Sequence, residues 1–408
     1  MQASEKAPVL ERVKFNVIIP TRERSDTLYH ALRTVVAQDY SNLSIIVSDN
    51  FSGDDTKAVV DSFDDPRIRY INTGRRVSMS HNWEFALSHV TEGWITFLGD
   101  DDGMLPGCLA RIADVIKATR ASAVMSQWRF YSWPNCIGNA NQLTIPLGQG
   151  YEQRSSRRWL AKLMRGEVDY HELPYLYTGG FADFKLIDSA RNGDGAFFCS
   201  MTPDVFSAIV IASRTDSYVM LQEPVCVMGV SSHSNGASNL SSNSPTQPSD
   251  LFFSEKNIPF HPILGSPRIK SIQIIVYEAY LQSLHIHSDA LQIELAEQMA
   301  LALAAADPGY YPQLKSYCDE VMDKSAGSAA KFPLPLRRWS MRVVARWRTT
   351  LKRIRQGLAD LSVDAAAYHV KDVFGAAQLT STLYRFHRAD RHWRVRKVIA
   401  FLVRRLRS

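Results

Sequence analysis

The segment Leu98-Gly-Asp-Asp-Asp-Gly-Met-Leu-Pro106 sets three carboxylates side by side, Asp100, Asp101 and Asp102. Adjacent negative charges repel, and such a run is tolerated chiefly where a hard cation or a helix N-terminus offsets it. Oxygen-only donors suit Mg²⁺ or Mn²⁺, ions that also bridge phosphate oxygens. The competing explanation is a solvated acidic turn that caps the next helix, which Asp102 can do alone. A second acidic loop, Ser48-Asp-Asn-Phe-Ser-Gly-Asp54, shifts the balance towards a nucleotide and metal site if both loops open from one sheet edge.

The elements that must position these loops can be read from periodicity. Phe15-Asn-Val-Ile-Ile-Pro20, Leu43-Ser-Ile-Ile-Val47, Ile68-Arg-Tyr-Ile71 and Trp94-Ile-Thr-Phe-Leu98 are short apolar runs that read as buried strands. Between them, Leu28, Leu32, Val35 and Val36, a segment ending near Phe63, and Trp83, Leu87 and Val90 recur at helical spacing. A helix from about Pro106 to Ile116 and a strand over 123–130 follow. Strands alternating with helices predict an α/β, doubly wound, mainly parallel sheet, with ligands at the carboxyl ends of the strands. The loops after Pro20, Val47 and Leu98 are expected to converge on one crevice. Residues 131–155 read as an insertion or lid, and a long helical pattern spans Ile269 to Ala305.

Val17-Ile-Ile-Pro-Thr-Arg22, Ile46-Val-Ser-Asp-Asn-Phe-Ser-Gly-Asp-Asp-Thr56, Gly74 with Asn82, and the Leu98–Pro106 segment together resemble, in order and spacing, the nucleotide-binding half of glycosyltransferase family 2. The likeness covers roughly residues 14–130. It implies the GT-A fold, a nucleotide-sugar donor that is most often UDP-linked, a divalent metal (Mn²⁺ or Mg²⁺), and inversion at the anomeric carbon. By the same resemblance, Pro20, Thr21 and Arg22 line the base and ribose pocket, Asp49 accepts from uracil, and Asn50 stands where a second Asp is common. Asn82 belongs to the same donor-binding set. Asp101 matches the metal ligand of the DxD motif and Asp100 sits by the ribose or second phosphate, while Gly99 replaces the motif's first Asp. Arg75 and Arg76 suit either a diphosphate or an exposed loop.

Inversion needs a base within hydrogen-bond reach of the acceptor hydroxyl. Asp204, after Pro203 and at the start of an apolar helix, is the preferred candidate over Asp183, Asp194 and Glu172; the plain alternative is a first-turn acid facing the helix dipole. His233, in Met228-Gly-Val-Ser-Ser-His-Ser-Asn-Gly-Ala-Ser238, is a candidate metal or phosphate contact by resemblance to a loop that closes over diphosphate, against a solvated histidine. His171-Glu-Leu-Pro-Tyr-Leu-Tyr177 offers aromatic surface to an acceptor sugar or to the core.

Composition bounds the rest. The chain has 408 residues, 45% hydrophobic and 22% charged, which excludes a disordered or collagenous chain. Five scattered cysteines without a CxxC pair argue against a zinc site or disulfide frame. No apolar run reaches the ~20 residues of a membrane span, and the start lacks a secretory layout, so a cytoplasmic location is expected. Net charge is +6, but 19 of the 47 bases and only 4 of the 41 acids lie beyond residue 330. There Trp339, Val343, Trp347, Leu351 and Ile354, and again Trp393, Val398, Leu402 and Leu406, form apolar stripes flanked by arginine. These predict a basic amphipathic helical tail on the inner face of the membrane. Docking on the acidic body, or RNA binding as the less favoured partner, are the alternatives. The expected divisions are 1–130 donor half, 131–260 acceptor half, 261–330 helical extension and 331–408 tail. The expected activity is transfer of a sugar to a glycan or lipid-linked acceptor of a bacterial-type surface polysaccharide. A non-catalytic nucleotide-sugar or glycan-binding module and a nucleic-acid-binding protein led by its tail are the rival readings.

Overall fold

The computed structural model describes residues 13–136, 139–232, 255–265, 269–287, 289–325, 347, 350, 356–357 and 359–389. In chain order the strands are β1 (Phe15–Thr21), β2 (Leu43–Asp49), β3 (Ile68–Asn72), β4 (Trp94–Phe97), β5 (Gly103–Met104), β6 (Ala123–Gln127), β7 (Phe130–Ser132), β8 (Gln142–Pro146), β9 (Tyr151–Ser155), β10 (Gly180–Asp183), β11 (Ser217–Pro224), β12 (Cys226–Val230) and β13 (Asp360–Asp364). The α-helices are α1 (Ser25–Val36), α2 (Thr56–Asp61), α3 (Met79–Leu87), α4 (Cys108–Thr119), α5 (Ser156–Met164), α6 (Phe184–Asp188), α7 (Pro203–Arg214), α8 (Ile272–Gln282), α9 (Leu295–Ala305), α10 (Tyr311–Ser325) and α11 (Val373–Ala389).

An eight-stranded sheet runs in the order β3-β2-β1-β4-β10-β6-β11-β9. Strands β3, β2, β1 and β4 are parallel neighbours, and β10 runs against both β4 and β6. Since β11 is parallel to β6 while β9 opposes β11, all strands but β10 and β9 share one direction. The mainly parallel α/β expectation therefore holds. Continuous apolar runs in β1 and β2 follow from helices covering both faces. Alternate residues divide between the two faces: Ile18, Ile46, Ile95 and Phe97 pack with α3 and α7, whereas Val17, Ile19, Ile45 and Val47 pack with α1 and α4. Every one of these side chains is at most 2% exposed. A second sheet, ordered β13-β8-β7-β12-β5, carries a third core of Tyr131, Trp133, Leu143, Ile145, Val373 and Ala377.

Three local expectations are corrected. The single strand expected over 123–130 is two strands, β6 in the large sheet and β7 in the second, because the chain turns at Trp128-Arg129 and changes sheets. Residues 131–155 are not a lid: they supply β7, β8 and β9, and β9 closes the edge of the large sheet against β11. The stretch 331–408 is not one helical tail. Within it, β13 pairs with β8 from Asp360↔Pro146 to Asp364↔Gln142, and α11 packs beside α1 and β12. An ion pair from Arg129 Nε to Asp360 Oδ2 (2.6 Å) and a contact of His30 Nδ1 with Asp372 Oδ2 (3.1 Å) fasten it, with Arg33 over the Phe374 ring at 4.1 Å. The physical reason is pairing: β8 has an open edge and α1 an apolar flank, and residues 360–389 satisfy both. Apart from Trp347, which is 65% exposed, the Trp339–Ile354 and Trp393–Leu406 stripes lie outside the described residues. No helix among the described residues is long and apolar enough to cross a membrane.

Candidate functional site

The ends of β1, β2 and β4 meet as expected, and the acidic loop that follows β4 sits between them. The three carboxyls face different partners. Asp100 is 3% exposed and accepts from Thr21 Oγ1 and from an Arg24 guanidinium nitrogen, each at 2.9 Å. Asp101 is 5% exposed; its Oδ2 accepts from Ser231 Oγ at 2.8 Å, and its carbonyl accepts from Trp133 Nε1 at 3.0 Å. Asp102 is fully buried, accepting from the Thr178 hydroxyl, from Gly99 N–H at 3.1 Å and from Gly229 N–H at 2.7 Å. Asp102 thus ties the loop to β12 and the turn before β10, and it does not cap α4, whose N-cap is Gly107.

Packing three acids together has an electrostatic cost. Burial, and then the Asp101 charge, push the Asp102 carboxyl up to about 8. Burial also raises Asp100, with Asp101 adding to the effect and Arg24 and Thr21 opposing it. Burial works against the Arg24 charge, yet Asp100 and Asp101 together hold its pKa above the ordinary guanidinium value. A crowded set of buried oxygens of this kind suits a hard cation. Among the described residues no group of three or more His, Cys, Asp or Glu is placed to hold an ion alone. Of these acids, Asp101 is the one that the resemblance assigns to a divalent ion.

The other residues named from sequence fall around this loop. Asp49 Oδ2 accepts from Tyr70 OH (2.6 Å) and Asn72 Nδ2 (2.9 Å), and its Oδ1 accepts from Ser52 N–H at 3.0 Å. Asn50 clamps the loop after β3, donating to Val77 O at 2.7 Å and accepting from Val77 N–H at 2.9 Å. Asn82 accepts from Ser48 Oγ at 2.8 Å and so fastens α3 beneath the end of β2. Arg22 is ion-paired with Glu255, Pro20 is half-buried beside it, and Arg75 and Arg76 are exposed. His233 lies outside the described residues.

Asp204 stands in the first turn of α7, behind Pro203. It is half-buried and its Oδ2 accepts from Tyr170 OH at 2.8 Å. Burial raises its pKa, against hydrogen bonds from Tyr170 and the Val205 N–H that favour the charged form. The rival acids have other work or lie open to solvent: Asp183 caps α6, Glu172 pairs with Arg154 at 2.9 Å, and Asp194 is exposed. Tyr175 is a core residue at 1% exposure. Tyr177 is half-buried and stacked on Trp83, with ring centroids 5.4 Å apart. Burial and then the charges of Asp102, Asp101, Asp100 and Asp204 together hold its phenol well above the usual range. Beside it, Leu176 N–H donates to Ser207 Oγ at 2.9 Å, and Ser207 Oγ donates to the Asp204 carbonyl at 2.9 Å.

Sequence reasoning missed Arg24, Trp133, Tyr170 and Thr178, and it named the segments holding Tyr177, Gly229 and Ser231 without the contacts these residues make. Of the four missed, only Arg24, inside the polar turn after β1, carried a local signal. Gly229 shows why the rest were hidden: a Cβ there would come closer than 3.0 Å to the Asp101 carbonyl oxygen, so the glycine serves a partner 128 residues away.

The family model Glycosyl transferase family 2 matches residues 16–167. Over 102 residues the chain is 39% identical to GalNAc(5)-diNAcBac-PP-undecaprenol beta-1,3-glucosyltransferase of Campylobacter jejuni, covering 24% of this chain and 33% of that protein. It is 26% identical over 115 residues to succinoglycan biosynthesis protein ExoO of Rhizobium meliloti, covering 28% and 33%. The chain thus spans about a third of the length of these relatives. Among solved structures, S. aureus TarS 1–349 in complex with UDP-GlcNAc aligns with 84% of this chain and 92% of that one, at a TM-score of 0.44 and 14% identity. Residues 16–167, which hold both acidic loops and the strands that carry them, match the glycosyltransferase family 2 model.

Proposed function

We propose that the protein transfers a sugar, with inversion, from a nucleotide donor to a glycan or lipid-linked acceptor in bacterial surface-polysaccharide synthesis. The observation that carries this reading is the place of Tyr177: its hydroxyl abuts Gly99 beside the loop acids, and the adjoining Leu176 N–H donates to Ser207 Oγ, which is bonded to the Asp204 carbonyl. A leaving diphosphate and an acceptor hydroxyl must flank the transferred carbon in the same way. Uridine is the proposed nucleoside, with Asp49 accepting from its base and Pro20, Thr21 and Arg22 at its rim. The family match and the Campylobacter relative, whose name specifies an undecaprenol-diphosphate-linked acceptor, support the class of chemistry.

The residues divide the work. Asp101 would hold Mn²⁺ or Mg²⁺ together with the donor diphosphate, and such an ion neutralises charge developing on the leaving group. Thr21 and Arg24 orient Asp100 beside it. Asp204 takes the proton of the acceptor hydroxyl as the new bond forms, and burial makes it a stronger base than an exposed aspartate. Tyr170 fixes the carboxylate in place. Trp83, stacked on Phe97, backs the Tyr177 ring.

The test is a thermal-shift titration of UDP with Mn²⁺ or with chelator, on the wild-type chain and Asp101→Ala. Ligand binding to the folded state raises the melting temperature by mass action. UDP with Mn²⁺ should stabilise the wild type, while chelator or the Asp101→Ala change should remove the metal-dependent part. Full stabilisation of Asp101→Ala would overturn the metal assignment.

Membrane association through the basic C-terminal residues is part of the same reading, and peripheral attachment to the inner face of the membrane follows from it. Since β13 and α11 belong to the body, the informative truncation follows Ala389 and removes Arg391, Arg394, Arg396, Lys397, Arg404, Arg405 and Arg407. Sedimentation with anionic liposomes should fall for the truncated chain, with nucleotide binding unchanged; equal sedimentation would sink the membrane role of this segment.

A further inference from the structure

Gly99 holds the place at which the resemblance puts the first acid of the motif, and the structure shows what fills the space. A Cβ on Gly99 would come closer than 3.0 Å to both the Tyr177 hydroxyl and Asp102 Oδ2. Neither obstacle can move cheaply. Asp102 is bound by Thr178 and by two backbone N–H groups, from Gly99 and Gly229. The Tyr177 ring lies on Trp83 with an interplanar angle of 29°, and Trp83 lies on Phe97 of β4 at 4.4 Å and 11°. A pinned ring gives its hydroxyl a fixed position. That hydroxyl has no hydrogen-bond partner among the described residues, although Tyr177 is half-buried. Burial and four neighbouring carboxylates keep it protonated, so it is a neutral O–H donor at pH 7.

We propose that the Tyr177 hydroxyl takes the place of a side chain at position 99 and hydrogen-bonds a hydroxyl of the transferred sugar. This rests on the glycosyltransferase reading above. The sugar is the assigned target because Tyr177 joins the two sets of acids: its hydroxyl abuts Gly99 beside the loop acids, and the Leu176 N–H before it donates to Ser207 Oγ, itself bonded to the Asp204 carbonyl. On the transferase reading the loop acids address the diphosphate and Asp204 the acceptor, so the sugar ring falls beside this tyrosine. A polar site built for a sugar hydroxyl also discriminates against donors lacking it there, since the phenol would be left unpaired.

The test uses Tyr177→Phe in the full chain, which keeps the ring on Trp83 and removes only the hydroxyl. Affinity is measured by calorimetry in Mn²⁺ for UDP, UDP-glucose and UDP-N-acetylglucosamine. The nucleotide sugar that the wild type binds more tightly should weaken about tenfold, the value of one hydrogen bond. UDP itself should stay within about twofold, because the lost contact is not to the nucleotide. An equal loss for UDP and nucleotide sugar, or no loss for either, would overturn the proposal while leaving the transferase reading intact. A wild-type chain that binds UDP but discriminates no sugar nucleotide from it also overturns the proposal. Failure of the wild type to bind any of the three overturns the transferase reading, and this proposal with it.

Discussion

The acids after β4 and the acid at the start of α7 are held in opposite ways. Asp100, Asp101 and Asp102 accept bonds from β1 and the turn after it, from β12 and its following residues, and from the turn before β10. Among the described residues Asp204 has one side-chain partner, Tyr170, besides the N-terminal N–H groups of its own helix. A cluster of buried charge is stable only when each oxygen is satisfied, so the loop acids recruit several elements. A single half-buried carboxylate needs little support, and its one tyrosine leaves it room to exchange a proton. In the proposed reaction the loop acids stay fixed, and Asp204 changes protonation state.

Three changes would break or sharpen that contrast. Asp204→Asn keeps shape and donor site but cannot take a proton; transfer should fall about 10²–10⁴-fold with nucleotide affinity unchanged, as read by product formation and calorimetry. Residual transfer near wild type would move the base elsewhere. Gly229→Ala sets a methyl group against the Asp101 carbonyl, which is backbone and cannot turn aside. Displacing the loop acids by a fraction of an ångström should cost up to about 10²-fold in kcat/KM, although residue 229 contributes no side chain to the site. An active Gly229→Ala enzyme would show that the loop is more pliable than its bonding suggests. The smallest effect is expected for Tyr170→Phe. The Tyr170 bond favours the ionised form of Asp204, so its loss should raise the pKa of the base. The acid limb of the pH–rate profile should then move to higher pH, with the plateau rate changed by no more than about threefold. An unmoved limb would mean that the limb belongs to another group.

Much of the donor side was legible because its residues are local. Pro20, Thr21, Asp49, Asp100 and Asp101 all lie at or just beyond the ends of strands, and a parallel sheet brings such ends to one edge whatever else the chain does. The position of Asp204 in a first helical turn was legible for a similar reason, as an acid just behind a helix-starting proline; its role as base belongs to the proposal. The alternative of Asp102 as a helix cap falls away, since its partners are Thr178 and Gly229. The strand over 123–130 was misread because alternation does not reveal that two collinear strands belong to different sheets. The largest difference concerns residues 360–389. Net charge drew attention to a basic tail, but β-pairing with residues 142–146 and packing on α1 decide where this part sits.

By itself the sequence determined the alternation of strands and helices, the edge where ligands meet the sheet, and the acidic loops that define the family. Those are short-range properties, set by hydrophobic period and by a few residues beside each strand. Tertiary structure alone decided which oxygen of each acid is occupied and by what. It also decided that Gly99 yields its space to Tyr177, and that the C-terminal strand joins the body. Such facts depend on contacts between residues far apart in the chain, and contact is a property of packing that no local pattern encodes.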